Sequence, residues 1–165
     1  IIAVCRGRME MGARALGNRS IIADPRTRKN VEKINQSIKM RDFWMPFAPI
    51  ILEEFQNILL ENPKKIESPF MTMAFDTKEG EKKIPAAVHQ SDGTARAQLL
   101  KKNQNQDLWE LIFKFYEKTK IPALLNTSFN LHGEPIVNSV QDAIRVFEKS
   151  ELEVLWLNNH IIEKQ

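Results

Sequence analysis

QDLWELIFKFYEKTKIPALLNTSFN, residues 106–130, is the stretch that decides the fold. Leu108, Leu111, Ile112 and Phe115 fall on one helical face, so Gln106 to Thr119 is expected to be an amphipathic helix. Pro122 to Leu125 reads as a strand. It hands the chain to Asn126, Thr127, Ser128, Phe129 and Asn130, of which all but Phe129 are polar and uncharged. Strand ends of α/β sheets are where ligand contacts gather. Hydroxyls and amides suit a ribose, a phosphate or a small carbonyl; taken alone, such a run is by default a hydrogen-bonded loop.

Outward from there, Ile1 to Cys5 reads as a buried strand and Ser20 to Ala23 as another, stopped by Asp24-Pro25. Val31, Ile34 and Ile38 put a helix over Thr27 to Lys39. Phe47 to Leu52 reads as a strand, with Pro49 arguing for an edge or a bulge. Glu53 to Leu60 is expected to be helical. Residues 61–69 and 76–85 read as loops with a strand, Phe70 to Phe75, between them. Ala86 to His89 and Ala95 to Leu100 read as short strands around an Asp92-Gly93 turn. Ser139 caps a helix running to Lys149, with Asp142 completing an approximate capping box. Val154 to Leu157 reads as the last strand. The mixture indicates an α/β or α+β sheet with helices packed on it.

The 165 residues suit one compact domain, with 42% hydrophobic and 27% charged residues. No apolar run approaches the roughly 18 residues needed to span a bilayer. The opening IIAVCRGRME has neither a start Met nor a signal-peptide layout and reads as a strand entered mid-sequence, an excised fragment. A single Cys excludes an internal disulfide and fits a cytoplasmic setting; Cys5 reads as inert core. The net charge of +3 says little, but six of the nine Arg lie within the first 28 residues. Guanidinium forks grip phosphate and carboxylate bidentately, which points to a phosphorylated ligand. For Arg6, Arg26 and Arg28 a solvated surface role is the simpler reading.

Three further segments carry polar groups beyond what folding needs. In GRMEMGARALGNRS, residues 7–20, glycines interleave with Arg8, Glu10, Arg14, Asn18 and Arg19. Such a stretch can wrap an oxyanion or can be a turn of structural Arg–Glu pairs. It lacks P-loop spacing. In Lys39-Met-Arg41-Asp-Phe-Trp-Met45-Pro-Phe-Ala-Pro49, Lys39 and Arg41 could clamp phosphates and Phe43, Trp44 and Phe47 could stack a base. Equally, the aromatics could be core and Lys39 could sit at its helix's negative end. In His89-Gln-Ser-Asp92-Gly-Thr94-Ala-Arg96, His89 and Asp92 could meet Mg²⁺ or relay a proton, or Asp92 could hold the turn and pair with Arg96.

Together GRMEMGARALGNRSIIADPR, IKMRDFWMPFAP, HQSDGTARAQ and PALLNTSFNLHGEPIV, in this order, closely resemble the C-terminal domain of the nodulation and antibiotic-type O-carbamoyltransferases over nearly the whole chain. The resemblance implies a YrdC-like α/β fold, a twisted mixed sheet flanked by helices. It implies a domain that takes carbamoyl phosphate and ATP, with Mg²⁺, and forms carbamoyl-adenylate and pyrophosphate. An N-terminal domain of the actin-like ATPase superfold would then carry the carbamoyl group to a substrate hydroxyl. By motif, Arg14, Lys39, Arg96 and Ser128 match positions that contact the anionic substrates and nucleotide. Arg8, Asn18, Arg19, Arg41, Thr94, Asn126, Thr127 and Asn130 match supporting positions. Three departures stand out: Met45 where the family often has Arg, Ala13 where it often has Pro, and two residues rather than one between His89 and Asp92. Adenylate formation joins two anions, so it needs fixed cations and alignment rather than a covalent nucleophile. The competing readings are an RNA-binding module, which predicts a continuous basic face, and a structural domain that regulates a neighbour. No membrane partner is expected.

Overall fold

The computed structural model describes residues 1–40 and 45–164. Arg41, Phe43 and Trp44, singled out above, lie outside the described residues.

Strands β1 (Ile2–Cys5), β2 (Arg19–Ala23), β3 (Ala48–Leu52), β4 (Gln98–Leu100), β5 (Ala123–Ser128), β6 (Val154–Leu157) and β7 (His160–Glu163) form one mixed sheet in the order β4-β3-β5-β2-β1-β6-β7. The pairs β1–β6 and β3–β4 are parallel and the remainder antiparallel. Strand side chains alternate between faces, and both faces are apolar. Ala3, Cys5, Ile21, Ala23 and Leu125 pack with Ala143, Val146 and Phe147 of α4 (Val140–Lys149) and with Ile34 of α1 (Lys29–Ile34). Val4, Ile22, Ile50, Leu52 and Leu124 pack with Leu108 and Ile112 of the helix Gln106–Thr119. The result is an α/β sheet covered on both sides. A further cluster, including Leu59, Leu60, Ile84 and Val88, lies under the excursion between β3 and β4.

Helix ends follow their capping residues. Asn105 accepts from the Leu108 N–H at 3.2 Å. Ser139 and Asp142 form the full capping box: Asp142 N–H donates to Ser139 Oγ and Ser139 N–H to Asp142 Oδ2.

Several expectations change. The polar triplet Asn126-Thr127-Ser128 lies inside β5, opposite Ile22, Ile21 and Ser20 of β2; the strand does not end at Leu125. Pro49 lies in a strand with neighbours on both sides, but the parallel ladder to β4 starts only at Ile50, so the missing N–H interrupts nothing there. Phe70 to Phe75 is not a strand. Phe70 is exposed, Met71 has φ of 56°, and only Phe75 bridges to Ala95. Ala86 to His89 is buried turn rather than strand: Ala87 N–H returns to Ile84 O and His89 N–H to Thr94 O. Residues Glu53–Ile58 form a 3₁₀ helix, and a four-residue α-turn, α2 (Gly80–Lys83), interrupts the expected loop. The β7 strand has four exposed residues and no apolar alternation, so nothing in its pattern announced it. The helix expected over 27–39 changes at Asn35 into a π-turn, Asn35–Lys39.

Candidate functional site

The loop from Cys5 to β2 has almost no regular structure, yet it is bolted down. Glu10 Oε1 accepts the N–H groups of Leu16 (2.8 Å) and Asn18 (2.6 Å). The buried amide of Asn126 donates to Ala15 O at 2.8 Å, and that of Gln98 to Leu16 O at 3.1 Å. Gly17 adopts φ of +117°, and a Cβ there would overlap Leu108 Cδ2, so only glycine lets the loop close on the helix. These fastenings hold Arg14 at the mouth of the cleft.

That cleft has a volume of about 560 Å³. Arg14 and Arg96 share it with Phe47, His89, Asp92 and Thr94. A smaller hollow at its base adds Asn126, Thr127 and Ser128 to the same two guanidiniums. Neither Arg14 nor Arg96 has a carboxylate within ion-pair distance among the described residues. Desolvation first, and the Arg14 charge second, push the Arg96 guanidinium below its ordinary value. Two like charges held side by side with no counter-ion is an unfavourable arrangement that a bound anion reverses.

Lys39 sits at the rear of this hollow. The π-turn places it on the buried side, where it is 3% exposed. Its Nζ donates to Asn130 Oδ1 (2.6 Å) and Ser128 Oγ (3.1 Å), so its contacts reach β5 and the loop behind it. Ser128 Oγ in turn donates to Asn130 Oδ1 at 2.6 Å. Asn130 Nδ2 holds Leu131 O and Glu134 O, and so fixes the oxygen that both share. The Asn126 side-chain oxygen is buried with no hydrogen-bond partner among the described residues, beside the same hollow. An acceptor left so is costly unless a ligand donor meets it.

The turn at 89–94 closes the cleft's other end. Asp92 Oδ1 accepts from Thr94 N–H (2.9 Å), Thr94 Oγ1 (2.8 Å) and the His89 ring at Nδ1 (3.1 Å). Those bonds, that from the Thr94 N–H foremost, hold the Asp92 carboxyl below the usual carboxylate range. Arg96 does not pair with Asp92, contrary to the simpler reading of that turn.

Four of the sequence candidates are not drawn to the cleft. Arg19 is 6% exposed, and its guanidinium donates to the carbonyls of Arg6, Asn18, Gly7 and Asn138. It ties the loop to the segment before α4 and presents nothing to a ligand. Arg8 is exposed and meets its neighbours through its carbonyl, which accepts from Asn18. Asn18 lines a separate cavity and bonds Asn105. Asn130 positions Lys39 and Ser128 from behind. Sequence reasoning passed over Gln98, and did not see that Glu10 fastens the loop. Both lie within the quoted motifs, but their long-range carbonyl and amide partners leave no trace in local spacing. Cys5 is buried, and burial pushes its thiol up, as an inert core residue requires. Among the described residues no three His, Cys, Asp or Glu side chains cluster as a metal site, and no helix is long and apolar enough to cross a membrane.

Arg14 and Arg96, without a carboxylate partner among the described residues, thus stand over a polar central strand of a doubly covered mixed α/β sheet. The carbamoyltransferase C-terminus family matches residues 1–164, and the chain belongs to that family. An uncharacterised protein of Methanocaldococcus jannaschii is 48% identical over 165 residues, covering 99% of this chain and 31% of its own. The nodulation protein NolNO of Sinorhizobium fredii is 45% identical over 166 residues, covering 100% and 24%. The 3′-hydroxymethylcephem-O-carbamoyltransferase of Streptomyces clavuligerus is 32% identical over 154 residues, covering 93% and 28%. The chain thus spans about a third or less of the curated relatives it matches.

Proposed function

We propose that this chain is the adenylate-forming part of an ATP-dependent O-carbamoyltransferase. It takes carbamoyl phosphate and ATP and makes carbamoyl-adenylate, which a preceding domain of the same polypeptide uses to carbamoylate a hydroxyl. The observation that carries the reading is the pair Arg14 and Arg96, held in one cleft without a counter-ion among the described residues. Phosphate oxygens of both substrates are the ligands such a pair selects. Lys39 and Ser128 continue the polar surface along β5, and Thr127 adds a hydroxyl to the same hollow. The unmatched Asn126 oxygen asks for an N–H, which a carbamoyl amide or an adenine amino group supplies.

Mg²⁺ suits this donor set only as a guest of the phosphates. Asp92 is the carboxylate on the cleft wall and is already engaged by Thr94 and His89. Bound there, the ion would neutralise developing phosphate charge. The protein's own contribution is alignment and fixed positive charge.

Atoms balance only if carbamoyl phosphate also loses its phosphate: with one water consumed, the products are carbamoyl-adenylate, pyrophosphate and phosphate. The test is to supply the polypeptide bearing this chain with ATP, Mg²⁺ and carbamoyl phosphate and to assay both anions separately. Pyrophosphate release that requires carbamoyl phosphate supports the reading. ATP cleavage to ADP, or no pyrophosphate at all, overturns it.

A further inference from the structure

The turn at the far end of the cleft holds a second piece of chemistry. His89 lines the cleft with Arg14 and Arg96, and its ring is fixed at one nitrogen only. Nδ1 lies 3.1 Å from Asp92 Oδ1 and 2.9 Å from Ser91 Oγ. Asp92 is locked in turn by both the N–H and the hydroxyl of Thr94. A carboxylate so supplied with donors carries no proton, so the hydrogen of the Nδ1 contact resides on the ring. Neutral His89 is then the tautomer whose Nε2 holds a lone pair, and Nε2 has no partner among the described residues. The backbone keeps the ring in place: His89 N–H donates to Thr94 O and Gly93 N–H to His89 O. The two residues between His89 and Asp92 therefore leave the contact intact, since an i, i+3 turn brings the side chains together.

The reaction proposed above contains one proton problem. Attack of a carbamate oxygen on the α-phosphorus of ATP moves no proton, but the water that cleaves carbamoyl phosphate must lose one. We propose that His89 is the general base for that water, with Asp92 fixing its tautomer. The assignment rests on the reading under Proposed function. In the step, water oxygen bonds to the carbamoyl carbon while Nε2 takes one of its protons. The carbon–oxygen bond to phosphate then breaks, and its electron pair leaves with the phosphate. The proton on Nε2 passes to the departing phosphate, and the second water proton leaves the new carboxyl as carbamate forms. Among the described residues, the charged groups facing His89 are Asp92 on its own turn and Arg14 and Arg96 across the cleft. The two cations hold the phosphate.

His89→Asn is the decisive variant, because an asparagine amide keeps a donor near Nδ1 for Asp92 and removes Nε2. Two half-reactions are followed on the same preparation: phosphate release from carbamoyl phosphate, and ATP–pyrophosphate exchange driven by carbamate formed from bicarbonate and ammonium. The variant is expected to lose about 10²–10⁴-fold in phosphate release and to keep carbamate-driven exchange within a few-fold. Unchanged phosphate release, or equal losses in both half-reactions, overturns the assignment. His89→Gln, which restores a polar group near Nε2 without a basic lone pair, must be equally inactive in phosphate release; recovery there also overturns it. A wild-type protein that releases phosphate but fails the exchange removes the adenylate reading, and the loss of phosphate release in His89→Asn alone then decides whether His89 is the base. A wild-type protein that does neither removes both.

Discussion

Arg14 and Arg19 are five residues apart, one on the loop and the other the first residue of β2, and they have opposite fates. Arg19 is sunk beneath the loop with its donors taken by four carbonyls. Arg14 stands at the cleft mouth beside Arg96, with no anion to meet it among the described residues. Residue type and neighbourhood in sequence are nearly the same; what differs is whether the fold has already satisfied the guanidinium. A cation satisfied internally is part of the scaffold, and one left unsatisfied at a cleft is the one the proposed function assigns to a ligand's charge. Lys39 lies between these extremes: buried, bonded to Ser128 and Asn130, and through Ser128 still adjacent to the hollow.

The sharpest way to break this comparison is to remove the unsatisfied pair. Arg14→Ala combined with Arg96→Ala should reduce carbamoyl-adenylate synthesis by about 10²–10⁴-fold, as each charge-assisted contact contributes about 1.5–3 kcal/mol. The thermal midpoint should stay level or rise slightly, because a like-charge repulsion is removed. A marked fall in stability would place these residues with Arg19. The opposite pattern is expected of Arg19→Met. It leaves four carbonyls without their donor and should cost about 3 kcal/mol or more by denaturant unfolding, whereas an activity loss at unchanged stability would return Arg19 to the ligand site. Lys39→Met should cost about 1–3 kcal/mol and also weaken synthesis; a variant that lost only stability would make Lys39 scaffold alone.

The smallest effect concerns the anion that steadies Arg19's partner segment. The Asp142 carboxyl is held below its ordinary range by the Ser139 N–H first, then by the Ser139 hydroxyl and the Asn138 N–H. A depressed carboxyl contributes stability that is present above its unfolded value, near 4, and is lost as pH falls through the lower folded value. Asp142→Asn should flatten the acid side of the stability–pH curve below about pH 4. A curve parallel to wild type would show that the capping box carries no charge-dependent stability.

Much of this was legible from local pattern. The helix over 106–119 and the capped helix before Lys149 follow from apolar spacing and a Ser–Asp pair, and both formed as read. The motifs also placed Arg14, Arg96 and Ser128 around shared hollows, since each borders a strand of one sheet. What spacing could not show was the extent of β5. Asn126, Thr127 and Ser128 look like loop residues because β-propensity disfavours asparagine, but two flanking strands and buried partners override that preference. The Phe70 to Phe75 segment failed in the other direction: aromatic and apolar residues suggested a strand, but no long partner strand lies alongside it to complete a ladder. The inward turn of Lys39 depends on one extra residue in a helical turn, which no periodicity announces. Nothing near Arg19 marks its carbonyl partners, because Asn138 is 119 residues away.

That distance has a temporal consequence. The loop bearing Arg14 comes early in the chain, but its fastenings come late: Gln98, Asn126, Asn138 and, through Gly7, Asn158. Its leading strand β1 lies in parallel with β6, near the other end of the sequence. Contacts of such long separation close slowly, because the intervening chain must be ordered before they yield anything. During synthesis the loop therefore emerges long before the residues that shape it, and the cleft is assembled among the last events of folding. A nick anywhere in the 138–158 stretch would leave Arg14 and Arg96 in the polypeptide but without the fastenings that aim the loop.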